Sequence, residues 1–263
     1  MALIDVALAA HRRAIAEDGD ACEANQEADA AHAALMAALQ EDPRTVERVA
    51  GRLQTTRDPL EAEVLAALLG QFADPAVEQA ALTLATGRGD PALRVVGFDL
   101  LDALDLPSAR PVALTALDRE VDTTVRRAAI HALPPPDGAS ITEAVEVVSR
   151  LARVVGQDPD PETRRRAARV LGDWSHTPEA LETLVAALRR DAAPEVRAGA
   201  AFGLELARSA DPRARAALVS ALEDEDDLVR ENAWRALGAA APLSPAEHAA
   251  WVAFRDAREA VGN

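Results

Sequence analysis

With lysine and tyrosine absent, the permanently cationic side chains able to do chemistry in this chain are all arginines. Arg94, Arg126, Arg164, Arg197 and Arg230 recur along it at steps of 32, 38, 33 and 33 residues. Asp90, Asp122, Asp160 and Asp226 each stand four residues before one of them. That spacing permits an ion pair within one helical turn, or a ladder from one repeat to the next. A guanidinium fork suits a carboxylate at a packed interface, so these arginines are expected to be structural. Nucleophilic and metal chemistry find little support. His11, His32, His131, His176 and His248 lie in separate segments without a His-x-x-x-His pair. Cys22 is the only cysteine, which rules out an intrachain disulfide and a four-cysteine metal site. Phosphate-cradling glycine loops and nucleophile elbows are missing, and neither a metal nor a cofactor is expected.

What must position the arginines is a repeating pair of helices. The fullest copy is Asp158 to Trp174, DPDPETRRRAARVLGDW, and weaker copies put its reference arginine at 94, 126, 164, 197 and 230, with Ala62 in that place in a faint first copy. A fixed period of this size marks a solenoid. Asp-Pro pairs at 42, 58, 74 and 90 step by 16 residues. Aspartate caps the free amide groups of a first turn, and proline is preorganised for the first helical position, so each step predicts one helix. Two such helices make a repeat. Thirteen helices are expected between residues 43 and 259, one of them at 107–119, preceded by two near 2–17 and 22–40. The rhythm breaks once, at Pro134-Pro135-Pro136-Asp137-Gly138, where three prolines predict a stiff loop. Thr163, Ala167, Val170 and Leu171 share one helical face and form the stripe turned towards neighbouring helices.

The Asp-Pro, Val-Arg, Ala and Ala-Leu-Gly elements of these copies resemble the short HEAT repeats named after phycocyanin bilin lyases, over roughly residues 42 to 240. The resemblance implies an all-α fold, an α-solenoid of antiparallel helix pairs. It also implies that the motif-bearing helices line a concave surface, so that positions one and five after the reference arginine face a groove. Those positions hold Arg127, His131, Arg165, Arg169, Phe202, Glu231 and Arg235, with Arg166 beside them. Cations collected in a groove favour an acidic peptide or a phosphate. Two enzyme families share the repeat. HEAT-like DNA glycosylases place tryptophan and aspartate in a basic concavity, and Asp173, Trp174 and Trp234 near Arg169 imitate that set. Bilin lyases share the repeat type, but nothing in the sequence marks a tetrapyrrole site. HEAT-like deoxyhypusine hydroxylases hold iron with His-Glu pairs, and no His-Glu dipeptide occurs here.

The 263 residues are 49% hydrophobic but only 3% aromatic, so the buried surface is expected to consist of Ala, Leu and Val. A net charge of −16 opposes bulk nucleic-acid binding, which draws its affinity from clustered cations. The start, MALIDVALAAHRR, has the wrong order of charge for a secretory signal. No run is long enough to span a bilayer. A cytoplasmic monomer is expected. Residues 1–263 are read as one domain: capping helices at 1–41, six HEAT-like repeats at 42–240, and a capping helix at 241–263. The last of these opens on Ser244-Pro245-Ala246-Glu247 and carries Trp251 and Phe254 one turn apart. The function expected is non-catalytic: an interaction scaffold that binds an acidic or helical segment of another protein through Arg127, His131, Arg165, Arg166, Arg169, Phe202 and Arg235. A DNA glycosylase and a bilin-lyase-like enzyme are the alternatives.

Overall fold

Aspartate opens helix after helix, as the rhythm predicts. In the computed structural model, which describes residues 2–16, 22–133, 138–175, 177–208, 211–240 and 242–261, the Asp42 carboxylate accepts a hydrogen bond from the Arg44 amide at 3.0 Å. Asp74 accepts from Ala76 at 2.8 Å, Asp90 from Ala92 at 2.9 Å, and Asp160 from Thr163 at 2.7 Å. Each carboxylate satisfies an amide that has no partner within its helix. Elsewhere the cap changes type: Ser140 with Glu143 and Ser244 with Glu247 form reciprocal capping boxes, Thr177 caps the helix that starts at Pro178, and Ala193 stands before the helix at Pro194 without a side-chain cap.

The described residues form fifteen helices and no strand. They are α1 (Ala2–Ala16), α2 (Cys22–Glu41), α3 (Pro43–Thr55), α4 (Pro59–Leu69), α5 (Pro75–Thr86), α6 (Pro91–Leu104), α7 (Ala109–Arg119), α8 (Thr123–His131), α9 (Ile141–Gln157), α10 (Pro161–Asp173), α11 (Pro178–Arg190), α12 (Pro194–Ala207), α13 (Pro212–Ala221), α14 (Asp227–Ala239) and α15 (Pro245–Val261). Helix α7 starts at Ala109 rather than at 107, because Asp105 takes a left-handed conformation and residues 107–108 form a turn. Of the proline loop only Gly138 belongs to the described residues, at φ 73°. None of the fifteen is long and apolar enough to cross a membrane.

The fold is an α-solenoid, and its helices cluster into two compact units, Met1–Ala113 and Leu114–Asn263. In the first, α3 packs on α5 and α4 on α6, while α1 and α2 pair with each other and α2 reaches α3. Leu65, Leu68, Leu69, Phe98 and Leu101 are fully enclosed there, each such side chain contributing about 2 kcal/mol by removal from water.

In the second unit α8, α10, α12 and α14 form one layer, and α9, α11, α13 and α15 form the other. Thr163, Ala167 and Leu171 of the predicted stripe are completely buried, while Val170 at its edge is half-buried. The layer containing α10 and α12 is drawn tight by glycine. A Cβ on Gly172 would stand 2.7 Å from Gly203 Cα, and one on Gly203 would stand 2.6 Å from the Ala168 carbonyl oxygen. Helices α10, α12 and α14 therefore touch along longer stretches than α9, α11 and α13 do. The tighter layer, α8, α10, α12 and α14, is the one the repeat resemblance places inside, and it is termed the inner layer.

Candidate functional site

Three of the reference arginines, Arg126, Arg164 and Arg197, settle into one recurring geometry. Arg126 grips Asp158 through two hydrogen bonds of 2.8 and 3.1 Å, Arg164 grips Asp191 at 3.0 and 2.9 Å, and Arg197 grips Asp224 at 2.8 Å twice. The remaining guanidinium nitrogen of each donates to a carbonyl in the loop before its own helix: Val121, Asp158 and Asp191 respectively. Each rung thus ties a helix to its own loop and to the loop of the next repeat. Of a pair within one turn and a ladder between repeats, these three arginines adopt the ladder, on Asp158, Asp191 and Asp224 rather than on the aspartates four residues before them. These charges are nearly buried, with Arg197 10% and Asp224 12% exposed, and the fork satisfies both lone charges at once. Asp191 and Asp224 are held below the ordinary carboxylate range; for Asp191 burial opposes the Arg164 bonds that win, and for Asp224 the Arg197 bonds dominate.

The positions expected to face a groove lie on the inner layer: Arg127 and His131 on α8, Arg165, Arg166 and Arg169 on α10, Phe202 on α12, and Glu231 and Arg235 on α14. Their cations are mostly engaged. Arg127 is bidentate to Asp160 at 2.8 and 3.0 Å, which spends the α10 cap carboxylate twice. Glu162 receives Arg165 at 2.5 and 2.6 Å and Arg166 at 2.7 Å. Its carboxyl is consequently lowered to about 2, chiefly by the Arg165 bond. Arg235 meets Glu205 at 3.1 Å, and Glu231 is paired with Arg258. The expectation of a positive concavity is corrected accordingly, since carboxylates from the first turn of α10 and from α12 neutralise most of this face.

Arg169 differs. Its guanidinium carbon lies 4.2 Å from the centre of the half-buried Phe202 ring on the neighbouring helix, and among the described residues no carboxylate pairs with it. A cation over an aromatic face is attracted by the ring quadrupole and keeps its donors available. His131 is exposed at the end of α8.

The tryptophans are packing residues. Trp174 is fully buried at the end of α10, so no base could stack on it. Trp234 lies against Trp251 at 5.2 Å between ring centres and 11° between planes. Asp173 is open to solvent on one side, and partial desolvation lifts its carboxyl above the ordinary range. His176 lies outside the described residues. Among the described residues no three His, Cys, Asp or Glu side chains are grouped so as to hold a metal ion.

Asp160 thus pairs with Arg127 rather than with Arg164 four residues on, and Glu162 and Glu205, to which the sequence reading gives no role, pair with Arg165, Arg166 and Arg235. A signal for the ladder was present: Asp158, Asp191 and Asp224 recur at steps of 33 residues, each two positions before the residue that caps an inner helix.

Two overlapping matches to the family model for HEAT repeats cover residues 138–205 and 181–250. Over these residues the chain is built of HEAT repeats. No curated protein matches the sequence. An engineered protein of known structure is similar to 74% of this chain and 96% of its own, at 21% identity and TM-score 0.55. The structure of Escherichia coli YibA matches 84% of the chain and 78% of its own at 18% identity and TM-score 0.56. Human deoxyhypusine hydroxylase overlaps 91% of the chain and 94% of its own at 17% identity, with a TM-score of only 0.36. The first two likenesses speak to the fold alone.

Proposed function

We propose that this is a non-catalytic protein-interaction module of the cytoplasm, which receives an acidic segment of a partner along the inner helix layer of the second unit. The observation that carries this reading is Arg169 over Phe202. The surrounding arginines hold their carboxylates and leave the layer nearly neutral, while Arg169 offers a donor fork seated on an apolar ring. An aromatic with an arginine is a combination that anchors interfaces. Arg127, Arg165, Arg166 and Arg235 would then frame the segment, as charge-paired walls that keep wrong partners out, with His131 at the edge. Buried Trp174 removes the aromatic platform that base excision would need.

Affinity capture from the native cell followed by Arg169→Glu tests the reading. The captured protein should be lost with this variant and with Phe202→Ala, while the helical circular-dichroism spectrum is unchanged, because Arg169 is exposed and contributes little to folding. Capture that survives both variants would refute the inner-layer site. Release of a base from alkylated DNA by the purified protein, abolished by Asp173→Asn, would overturn the non-catalytic reading altogether.

A further inference from the structure

The first unit holds an apolar groove that its sequence did not announce. It runs between α4 and α6 and encloses about 410 Å³, within the range of cavities that bury a ligand-sized group. Each wall is one helical stripe: Glu63, Ala66 and Ala67 on α4, with Gly70 and Gln71 just past its end, and residues 96, 99, 100 and 103 on α6. Buried Ala66, Val96 and Leu100 make the floor. Ala67 and Ala103 leave the space open because neither has a side chain long enough to fill it. At one end the walls nearly meet, since a Cβ on Gly70 would stand 3.3 Å from that of Ala103.

Charge selects the occupant. The rim carries the exposed carboxylates of Glu63 and Asp99, and no cationic side chain lines the groove. Among the described residues nothing pairs with Glu63. Two cavities of the second unit differ in carrying arginines, Arg189 and Arg190, in their walls. Residues 63 to 70 of a helix span about 10 Å, which is the reach of anchors at i, i+3 or i+4, and i+7 on a docked helix. A second copy of this chain is a poor occupant, because a net charge of −16 sets copies against one another.

We propose that the groove between α4 and α6 takes a short basic amphipathic helix of another protein, its aliphatic side chains entering over Ala67 and Ala103 and a lysine or arginine meeting Glu63 and Asp99. The surface is independent of the inner-layer face built on Arg169, and opposite to it in preference.

A labelled helical peptide of leucine and lysine, with leucines at i, i+3, i+4 and i+7, is the probe, and its binding to the full chain is followed by fluorescence anisotropy at physiological salt. Ala67→Leu, which fills the groove from an exposed position, should abolish saturable binding, and Glu63→Lys should weaken it by about tenfold. Arg169→Glu should leave it unchanged, so that failure here and failure of the inner-layer site are read separately. A peptide with alanine for leucine should not bind. Binding unaffected by Ala67→Leu would overturn the proposal, as would a peptide with glutamate for lysine that binds equally well. Wild-type self-association that Ala67→Leu abolishes would assign the groove to a second copy and overturn it too.

Discussion

Trp234 and Trp251 bind each other's backbone reciprocally: the indole N–H of Trp234 donates to the Trp251 carbonyl at 3.2 Å, and that of Trp251 donates to the Trp234 carbonyl at 3.1 Å. The rings stack between the two bonds, Phe254 tilts against Trp234 at 6.4 Å, and a Cβ on Gly238 would stand 3.1 Å from the Trp251 ring nitrogen. This clasp seats α15 on α14. Trp251→Ala removes one ring, one donor and the stack, and is expected to cost about 2–3 kcal/mol in chemical denaturation. Trp234→Ala should cost a similar amount, and the double variant clearly less than the sum. Additive losses would show that the two indoles act separately.

The arginine ladder should behave as pairs. Arg197→Ala strands the nearly buried Asp224 carboxylate and is expected to cost about 3 kcal/mol. Asp224→Asn alone should lose a comparable amount, and combining the two should add little. A double-mutant cycle read by urea denaturation decides it, with a coupling near zero counting against the rung.

Two glycines make opposite predictions. A methyl group on Gly203 would press on the Ala168 carbonyl and on Leu184, so Gly203→Ala forces α10 and α12 apart and should lower stability by about 2 kcal/mol. Gly156 lies in α9 with nothing within 4 Å of an added Cβ. Gly156→Ala should therefore raise stability by about 0.5–1 kcal/mol, through the lost freedom of the unfolded chain. Thermal melts of the two variants should move in opposite directions.

Acid should loosen α10. The folded Glu162 carboxyl is held at about 2 by Arg165 and Arg166, below the value of about 4.3 expected when unfolded. Its stabilisation is complete above the unfolded value and is lost as pH falls towards the folded one. Asp160, Asp191 and Asp224 are depressed too and act in the same sense. Glu162→Gln should be less stable than wild type at pH 7, by about 1 kcal/mol or less for so accessible a pair. The difference should vanish near pH 2, and a gap that persists there would place the contribution of Glu162 in packing rather than charge.

The helices were legible in the sequence because their starts are chemical events of one or two residues. Asp42, Asp58, Asp74 and Asp90 each cap the helix that the following proline begins. The face of α10 was legible in the same way, Thr163, Ala167 and Leu171 being buried as their spacing requires. The electrostatics of that face were not. Arg127 finds its carboxylate 33 residues away on Asp160, and Arg235 finds Glu205 at a distance of 30, partners that only the stacking of helices brings together. A positional list of arginines counts cations without the acids folded against them. The groove between α4 and α6 escaped notice because alanine and glycine at the surface signal nothing by type, and only the gap between two helices gives them meaning.

The ladder also has a direction. Every rung is donated towards the C-terminus, from Arg126 to Asp158, from Arg164 to Asp191 and from Arg197 to Asp224. Arg230 comes last and turns to Asp227 of its own helix and to the carbonyls of Asp224 and Glu225. The segment 191–223 opens on an acceptor and contains one donor, so it is a complete unit of grammar. A second copy of it spliced in before Asp224 would give Arg197 the duplicate aspartate and return Asp224 to the duplicate arginine. The array can thus be lengthened from within by whole units, without leaving a charge stranded at either seam.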